Sequence, residues 1–235
     1  MPVRARSPGV RFWERVGAAA APSATSLKHG RTTPARLLPR AGNASWRART
    51  VPAQSLRVAD VGCGAGWSTI AVARAFPKAT VVGFDADAAS IIDAKENAAA
   101  QQVGADFQTR DAATLADAGR FDLILVLEAL HDMARPADVL RSLGRALTPG
   151  GSVLVADEKV ADRFHAPGDD MERLMYGWSI VHCLPVAMSE SPSAAIGTVI
   201  RSDTVRELAR TAGFARVEVL PVNAGFFRIY RLSLG

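Results

Sequence analysis

Three glycines recur at every second position in "VADVGCGAGW", at Gly62, Gly64 and Gly66, directly after a short apolar run. A glycine-rich turn between an opening strand and a helix sets backbone N–H groups beside a ligand at the carboxyl edge of a sheet. Asp85, in "VVGFDAD", follows Gly66 by 19 residues, close to the ~20-residue spacing of a ribose-binding carboxylate. A carboxylate there accepts from both ribose hydroxyls and repels a phosphate. Asp111, followed by Ala112, offers an acceptor for an exocyclic amine and a neighbouring N–H for a ring nitrogen. Each acid has a structural alternative, because strand-end aspartates often cap helices; for Asp87 the cap is preferred. Trp67 stands where a dinucleotide fingerprint needs its third glycine, and no Gly-Lys-Ser/Thr follows. The turn therefore suits a nucleoside-sized ligand without a diphosphate.

A second set of residues could move a proton. Glu128, His131 and Asp132 fall in "LEALHDM", and Glu158 closes a later strand. His131 leads, since its unperturbed pKa of ~6.5 suits proton removal near neutrality; Glu128 is the second candidate. The alternative for His131 is that it orients its loop or packs against a cofactor. Asp132 reads as a residue that orients His131 or caps the next turn. Residues 169–182, "DDMERLMYGWSIVH", fit one helix, with Met171, Leu174, Met175, Trp178, Val181 and His182 at helical spacing. The preferred reading of that stripe is a core-packing face. The functional reading is a cover over an apolar substrate, with Tyr176, Trp178, His182 and Cys183 beside it. Cys183 itself reads as an inert buried thiol.

The elements that must position these residues begin at Leu56. "LRVADVG", "TVVGF", "ADFQTRD", "FDLILVLEAL" and "SVLVAD" read as strands. They alternate with helices over "WSTIAVARAF", "ADAASIIDAKENAAAQQ" and "RPADVLRSLGRAL", the last ended by "TPGG". That alternation predicts a doubly wound, mostly parallel α/β sheet with helices on both faces. "SDTVRELARTAGF" predicts a helix capped by Ser202 or Asp203. "RVEVLPV" and "FFRIYRL" around "NAG" then predict a hairpin, which makes the final strand antiparallel.

Composition bounds the rest. The 235-residue chain carries a net charge of +5, but unevenly. Residues 1–55 hold ten Lys/Arg and one acid, giving +9, whereas residues 56–235 hold 18 Lys/Arg and 22 Asp/Glu, giving −4. The body thus has no evident attraction for a polyanion, and nucleic acid is a disfavoured partner. Residues 1–55 read as a disordered basic arm, an organelle transit peptide or a non-native start; residues 56–235 read as the domain, with a helical cover over about 160–200. No apolar run is long enough for a membrane span. The two cysteines, Cys63 and Cys183, form no metal-ligand spacing and no disulfide framework, which suits a reducing, cytoplasmic setting.

On these motifs, residues 56–232 resemble class I S-adenosylmethionine-dependent methyltransferases. "VADVGCGAG" matches the glycine motif, "VVGFDAD" the acidic loop, "RDA" the adenine site, "FDLILVLEALHDM" the fourth strand and "ALTPGGSVLVAD" the approach to the fifth. The resemblance implies a sheet ordered 3-2-1-4-5-7-6 and S-adenosyl-L-methionine as cofactor. It implies that Asp60 and the loop through Gly62, Cys63, Gly64 and Gly66 face the methionine portion. Asp85 would hold the ribose, Asp111 and Ala112 the adenine, and Leu127 would lie beside the cofactor. "MYGWSIVHCLPVAMSESPSAAIGTV" is similar to bacterial small-molecule methyltransferases with an N-terminal winged-helix-like dimerisation domain. Residues 1–55 are too few and too unpatterned to be that domain, which leaves the implied homodimer open.

The expected activity is methyl transfer to a small, partly apolar molecule at O, N or C. "LEALHD" stands where relatives that methylate nucleobase amino groups or glutamine amides carry Asn/Asp-Pro-Pro-Tyr/Phe, which argues against those substrates. Three rivals stay open: an NAD-linked oxidoreductase, a cofactor-binding protein without turnover, and a macromolecular methyltransferase.

Overall fold

Val58 to Val61 and Ile124 to Val126 are all buried, as strands covered on both faces must be. The computed structural model describes residues 56–235; the expectations for residues 1–55 lie outside the described residues. Seven strands form one sheet: β1 (Arg57–Val61), β2 (Thr80–Asp85), β3 (Asp106–Thr109), β4 (Phe121–Leu127), β5 (Leu147–Glu158), β6 (Arg216–Val219) and β7 (Phe227–Ser233). Their order is β3-β2-β1-β4-β5-β7-β6, as the resemblance implied. Strands β1 to β5 pair in parallel, and β7 runs antiparallel to both β5 and β6. Among the described residues no helix is long and apolar enough to cross a membrane.

Side-chain alternation along the strands divides the core. Ala59, Val61, Ile124, Val126, Val153 and Val155 pack with Leu140 and Leu143 of α3 (Pro136–Ala146) and with Val205 and Ala209 of α6 (Ser202–Thr211). Val58, Leu125 and Leu154 pack on the opposite face with Val72 and Ala73 of α1 (Trp67–Ala75). Helix α2 (Ala88–Ala100) adds Ile91, Ala94 and Ala98 against Phe107.

Four local features add to or correct the expectations. The segment between β3 and β4, for which the sequence predicts no element, is a 3-10 helix over Ala112–Ala118. "TPGG" does not simply separate helix from strand: β5 starts at Leu147, which pairs with Phe121, and its register then shifts before Leu123. The Thr148 hydroxyl donates to Asp122 Oδ1 at 2.7 Å, which anchors this irregular start. Neither Ser202 nor Asp203 caps α6; the cap position is Arg201, and the Ser202 hydroxyl donates to Asp162 at 2.9 Å.

The fourth concerns the predicted single helix over 169–182. Helix α4 (Asp170–Trp178) passes into a π turn at Ser179–Cys183 and then α5 (Leu184–Ala187). Pro185 has no N–H to give Val181, and the Leu184 N–H reaches back five residues to Ser179, so the helix widens there. The inward face is Glu172, Met175, Ser179 and Cys183; of the predicted stripe Met175 is buried, and Trp178 and His182 are half-buried. Met171, Leu174 and Val181 are exposed, the last at 73 %. Glu172 turns inward because Arg201 pairs with it, and Arg201 also donates to the Ala161 carbonyl at 2.5 Å and the Tyr176 hydroxyl at 3.1 Å.

The turn after β1 is closely packed. Gly66 sits at φ +81°, and a Cβ there would lie 2.7 Å from Phe107 and 2.8 Å from Ala94. Gly66→Ala should therefore cost about 2–4 kcal/mol, from overpacking plus left-handed strain. Urea unfolding checks this; a loss below about 1 kcal/mol would mean that the turn relaxes freely.

Candidate functional site

The carboxyl ends of the parallel strands open on a cavity of about 350 Å³. It lies where β1 and β4 leave the sheet in opposite directions, the usual ligand position in such folds. Gly62, Asp85, Asp111, Ala112 and Glu128 line it together, drawn from the ends of four strands. Ala129, Asp132, Met133 and Arg135 extend the β4 side, and Val186, Ser189 and Glu190 close over it from the segment after the π turn. The volume fits a nucleoside-sized ligand.

The turn at Gly62–Gly66 is held by acids. Asp60 is 1 % exposed and accepts from Ser68 Oγ at 2.5 Å and Thr69 Oγ1 at 2.6 Å, pinning the start of α1 to β1. Burial pushes its carboxyl up, and those two hydroxyls pull it back. Asp85 accepts from the Gly64 N–H at 2.8 Å through one oxygen and from the Asp87 N–H at 2.9 Å through the other. The Gly62 and Cys63 N–H groups both go to the Phe84 carbonyl, and Gly66 donates to Cys63. Four N–H groups of the turn are thus satisfied within the protein, which leaves little for a pyrophosphate. Each Asp85 oxygen accepts one N–H and has capacity for a second donor, and the residue lies on the cavity wall.

At the third strand end, Asp111 accepts from the Ala113 N–H at 2.8 Å and caps the 3-10 helix, while remaining on the cavity wall with Ala112. Asp87 caps α2, as expected, accepting from Ala89 at 3.3 Å and Ser90 at 2.9 Å.

The fourth and fifth strand ends carry the titratable cluster. Glu128 holds a left-handed backbone at φ +55° and faces the cavity with Oε1 buried and without a hydrogen-bond partner. Strain of this kind in a non-glycine residue costs roughly 1–3 kcal/mol and gathers at functional sites. Burial, then the Glu158 and Asp157 carboxylates, push Glu128 well above the usual carboxyl range. Burial also raises Glu158, to about 7. His131 is 2 % exposed; Nδ1 pairs with Asp157 and lies 3.5 Å from Glu158, and Nε2 lies 3.3 Å from Asp132. Burial alone would lower its pKa, but the Asp157 and Glu158 carboxylates outweigh it and hold the imidazole well above its usual value. Asp132 is raised, again chiefly by burial.

The "Methyltransferase domain" family model matches residues 53–213. The chain belongs to this methyltransferase family. It is 35 % identical over 128 residues to the ubiquinone biosynthesis O-methyltransferase of Parvibaculum lavamentivorans, a match covering 54 % of this chain and 50 % of that one. The match thus spans about half of that relative. Among solved structures, an O-methyltransferase family protein of Burkholderia thailandensis superposes with a TM-score of 0.60 at 19 % identity, covering 77 % of this chain and 51 % of its own. Magnesium protoporphyrin IX methyltransferase of Synechocystis, with bound S-adenosylhomocysteine, gives 0.53 at 18 % identity, covering 81 % and 78 %. These likenesses establish the fold.

Within this methyltransferase domain the expected residues separate. Gly62, Asp85, Asp111, Ala112 and Glu128 meet at the cavity. Asp60 and Gly66 support the turn from beneath, Gly64 is tied to Asp85, and Cys63 packs behind the turn against Ile70 and Phe107. Leu127 packs with the core beside the cavity rather than on its wall. His131 lies behind Glu128 and Asp132, not on the wall. Tyr176, Trp178 and His182 are not on the wall either. Sequence reasoning missed Met133, Arg135 and Val186, which it does line up, and Asp157, which grips His131; the adjacency of Asp157 to Glu158 on an inward strand end was the available signal.

Asp85 and Asp87 should behave oppositely. Asp85→Asn removes charge from a carboxylate on the cavity wall and should weaken S-adenosylhomocysteine binding about 10- to 100-fold by calorimetry. Asp87→Ala should cost about 1 kcal/mol of stability with affinity unchanged. Hydrogen bonds from Ser90 hold the Asp87 carboxyl below its ordinary value. Its contribution is therefore present above the unfolded pKa and fades as pH falls through the folded one. Unfolding of the variant and the parent should converge at acid pH.

Proposed function

We propose that the chain transfers a methyl group from S-adenosylmethionine to an oxygen of a small, partly apolar molecule. The observation that carries this is the cavity wall shared by Asp85, Asp111, Ala112 and Glu128, which sets two strand-end acids beside a carboxyl group with one unpaired oxygen. The residues fit the cofactor. Asp85 would hold the ribose hydroxyls, and Asp111 with Ala112 the adenine edge. Gly62 would let a ligand approach closely, since its own Cβ would meet Ala129 at 2.6 Å. When bound, the cofactor supplies an electrophilic methyl on a sulfonium centre.

The protein's own part is alignment and proton transfer. Methyl transfer needs the acceptor oxygen in line with the bond being broken, a positioning task for a closed wall. Met133 and Val186 give that wall its apolar surface and exclude water. Glu128 takes the hydroxyl proton: it faces the cavity, its Oε1 has no partner, and neighbouring carboxylates raise its affinity for a proton. His131, the other candidate from sequence, lies off the cavity wall against Asp157 and Glu158, where it orients those carboxylates rather than meeting the acceptor. The relative named for O-methyl transfer supports oxygen as the acceptor atom.

S-adenosylmethionine and S-adenosylhomocysteine should raise the melting temperature of purified protein, and NAD should not. Methyl-tritiated cofactor should label small molecules in an extract rather than RNA or protein. Glu128→Gln should lower kcat by about 10²- to 10⁴-fold with S-adenosylhomocysteine affinity nearly unchanged. Stabilisation by NAD alone, or label confined to macromolecules, would overturn the reading.

A further inference from the structure

The helical segment over the site turns one thiol toward the buried histidine. Cys183 ends the π turn at 9 % exposure, on the same inward face as Met175 and Ser179. An extra residue in a helical turn rotates the following side chains by about 100°. The widened turn therefore decides which side chains after Ser179 face the sheet. One nitrogen of His131, one oxygen of Asp132 and the Cys183 sulfur all lie within 4.8 Å of one another.

We propose that His131, Asp132 and Cys183 form a binding site for a divalent cation of the zinc type. Bonds of about 2.0–2.3 Å to N, O and S donors place tetrahedral ligands roughly 3.3–3.8 Å apart. His131 Nε2 and Asp132 Oδ1 are 3.3 Å apart, already at that spacing. The second trio within reach, His131 with Asp157 and Glu158, lacks it: Nδ1 is in direct hydrogen-bond contact with Asp157. That contact suits a different task. A metal-bound histidine commonly gives its other ring N–H to a carboxylate, which fixes the tautomer and aims the free nitrogen. Asp157, 0 % exposed, does this through Nδ1 and leaves Nε2 to face Asp132.

Two buried oxygens support a missing positive charge here. Asp132 Oδ1 has no hydrogen-bond donor, and neither does Asp157 Oδ2 on a fully buried side chain. Such orphans are costly unless something completes them. A dication bound by the Asp132 carboxylate and the Cys183 thiolate forms a neutral unit, releasing the thiol proton and any proton on His131 Nε2 to solvent. Three protein ligands leave a fourth position, and Asp132 also lines the cavity, so that position is near the space assigned to the acceptor. A cation there would bind an acceptor oxygen beside Glu128. The site goes beyond the methyl-transfer reading and is tested without turnover.

The test titrates the full chain, stripped with a chelator, with Co²⁺ alone and then with Zn²⁺. Expected are one saturable site, a thiolate-to-cobalt charge-transfer band, tetrahedral visible absorption, and displacement of cobalt by zinc. Cys183→Ala and Asp132→Asn should each weaken cobalt binding at least tenfold, the first abolishing the charge-transfer band. Cys63→Ser and His165→Ala should leave both intact. Stabilisation by S-adenosylhomocysteine reports whether each variant is folded, and Cys183→Ser stands in if Cys183→Ala is not. No saturable binding by the parent chain, or a band that survives loss of Cys183 or disappears with Cys63, would overturn the proposal.

Discussion

The site depends on one carboxylate serving two masters. Asp85 ends β2, yet it accepts the Gly64 N–H from the turn after β1 and so ties two strand ends together. The turn cannot drift from the second strand without breaking a charge-assisted bond of the strong class. Asp60 fastens the other end of the same turn, through Ser68 and Thr69, to the first helix. Three consecutive alternate residues with positive φ, Gly62, Gly64 and Gly66, are the backbone cost of that closed loop. The ligand thus meets a wall whose shape is set before it arrives, which is what preorganisation requires.

A different balance operates at the fourth and fifth strand ends. Glu128, Asp132, Asp157 and Glu158 crowd around one buried imidazole at the inner edge of the cavity. Burial and mutual repulsion raise the Glu128, Asp132 and Glu158 carboxyls, and the crowding leaves orphaned oxygens on Glu128, Asp132, Asp157 and Glu158. Groups left undecided in charge are suited to passing protons or holding a cation. The second and third strand ends show no such tension: Asp85 and Asp111 each accept backbone N–H bonds.

Much of this was legible in the chain. Alternating apolar runs and helices pointed to the parallel sheet, the terminal hairpin to the antiparallel strand, and the spacing from Gly66 to Asp85 to an acid on the cavity wall. These rest on local chemistry: period, turn residues and strand-end acids. The over-strand cover was misread because its stripe of Met171, Leu174 and Val181 obeyed helical periodicity while facing outward. Two distant facts decide its orientation. Pro185 widens the helix, and Arg201, nearly thirty residues beyond Glu172, draws that acid inward. Periodicity measures only that a helix has two faces; which one is buried is settled by the partner. His131 was visible as a chemical group, but its grip by Asp157 crosses from β4 to β5 and has no local signature.

The contact between Gly62 and Ala129 limits how the pocket can change. A side chain at position 62 would meet the Ala129 methyl at 2.6 Å, so turn and strand end interlock closely. The floor cannot be built up at position 62 without prising the two strand ends apart. Variation in the binding space is easier at the roof, where Val186, Ser189 and Glu190 come from the segment after the π turn. A designer wishing to enlarge or reshape this binding space would edit that roof and leave the floor alone.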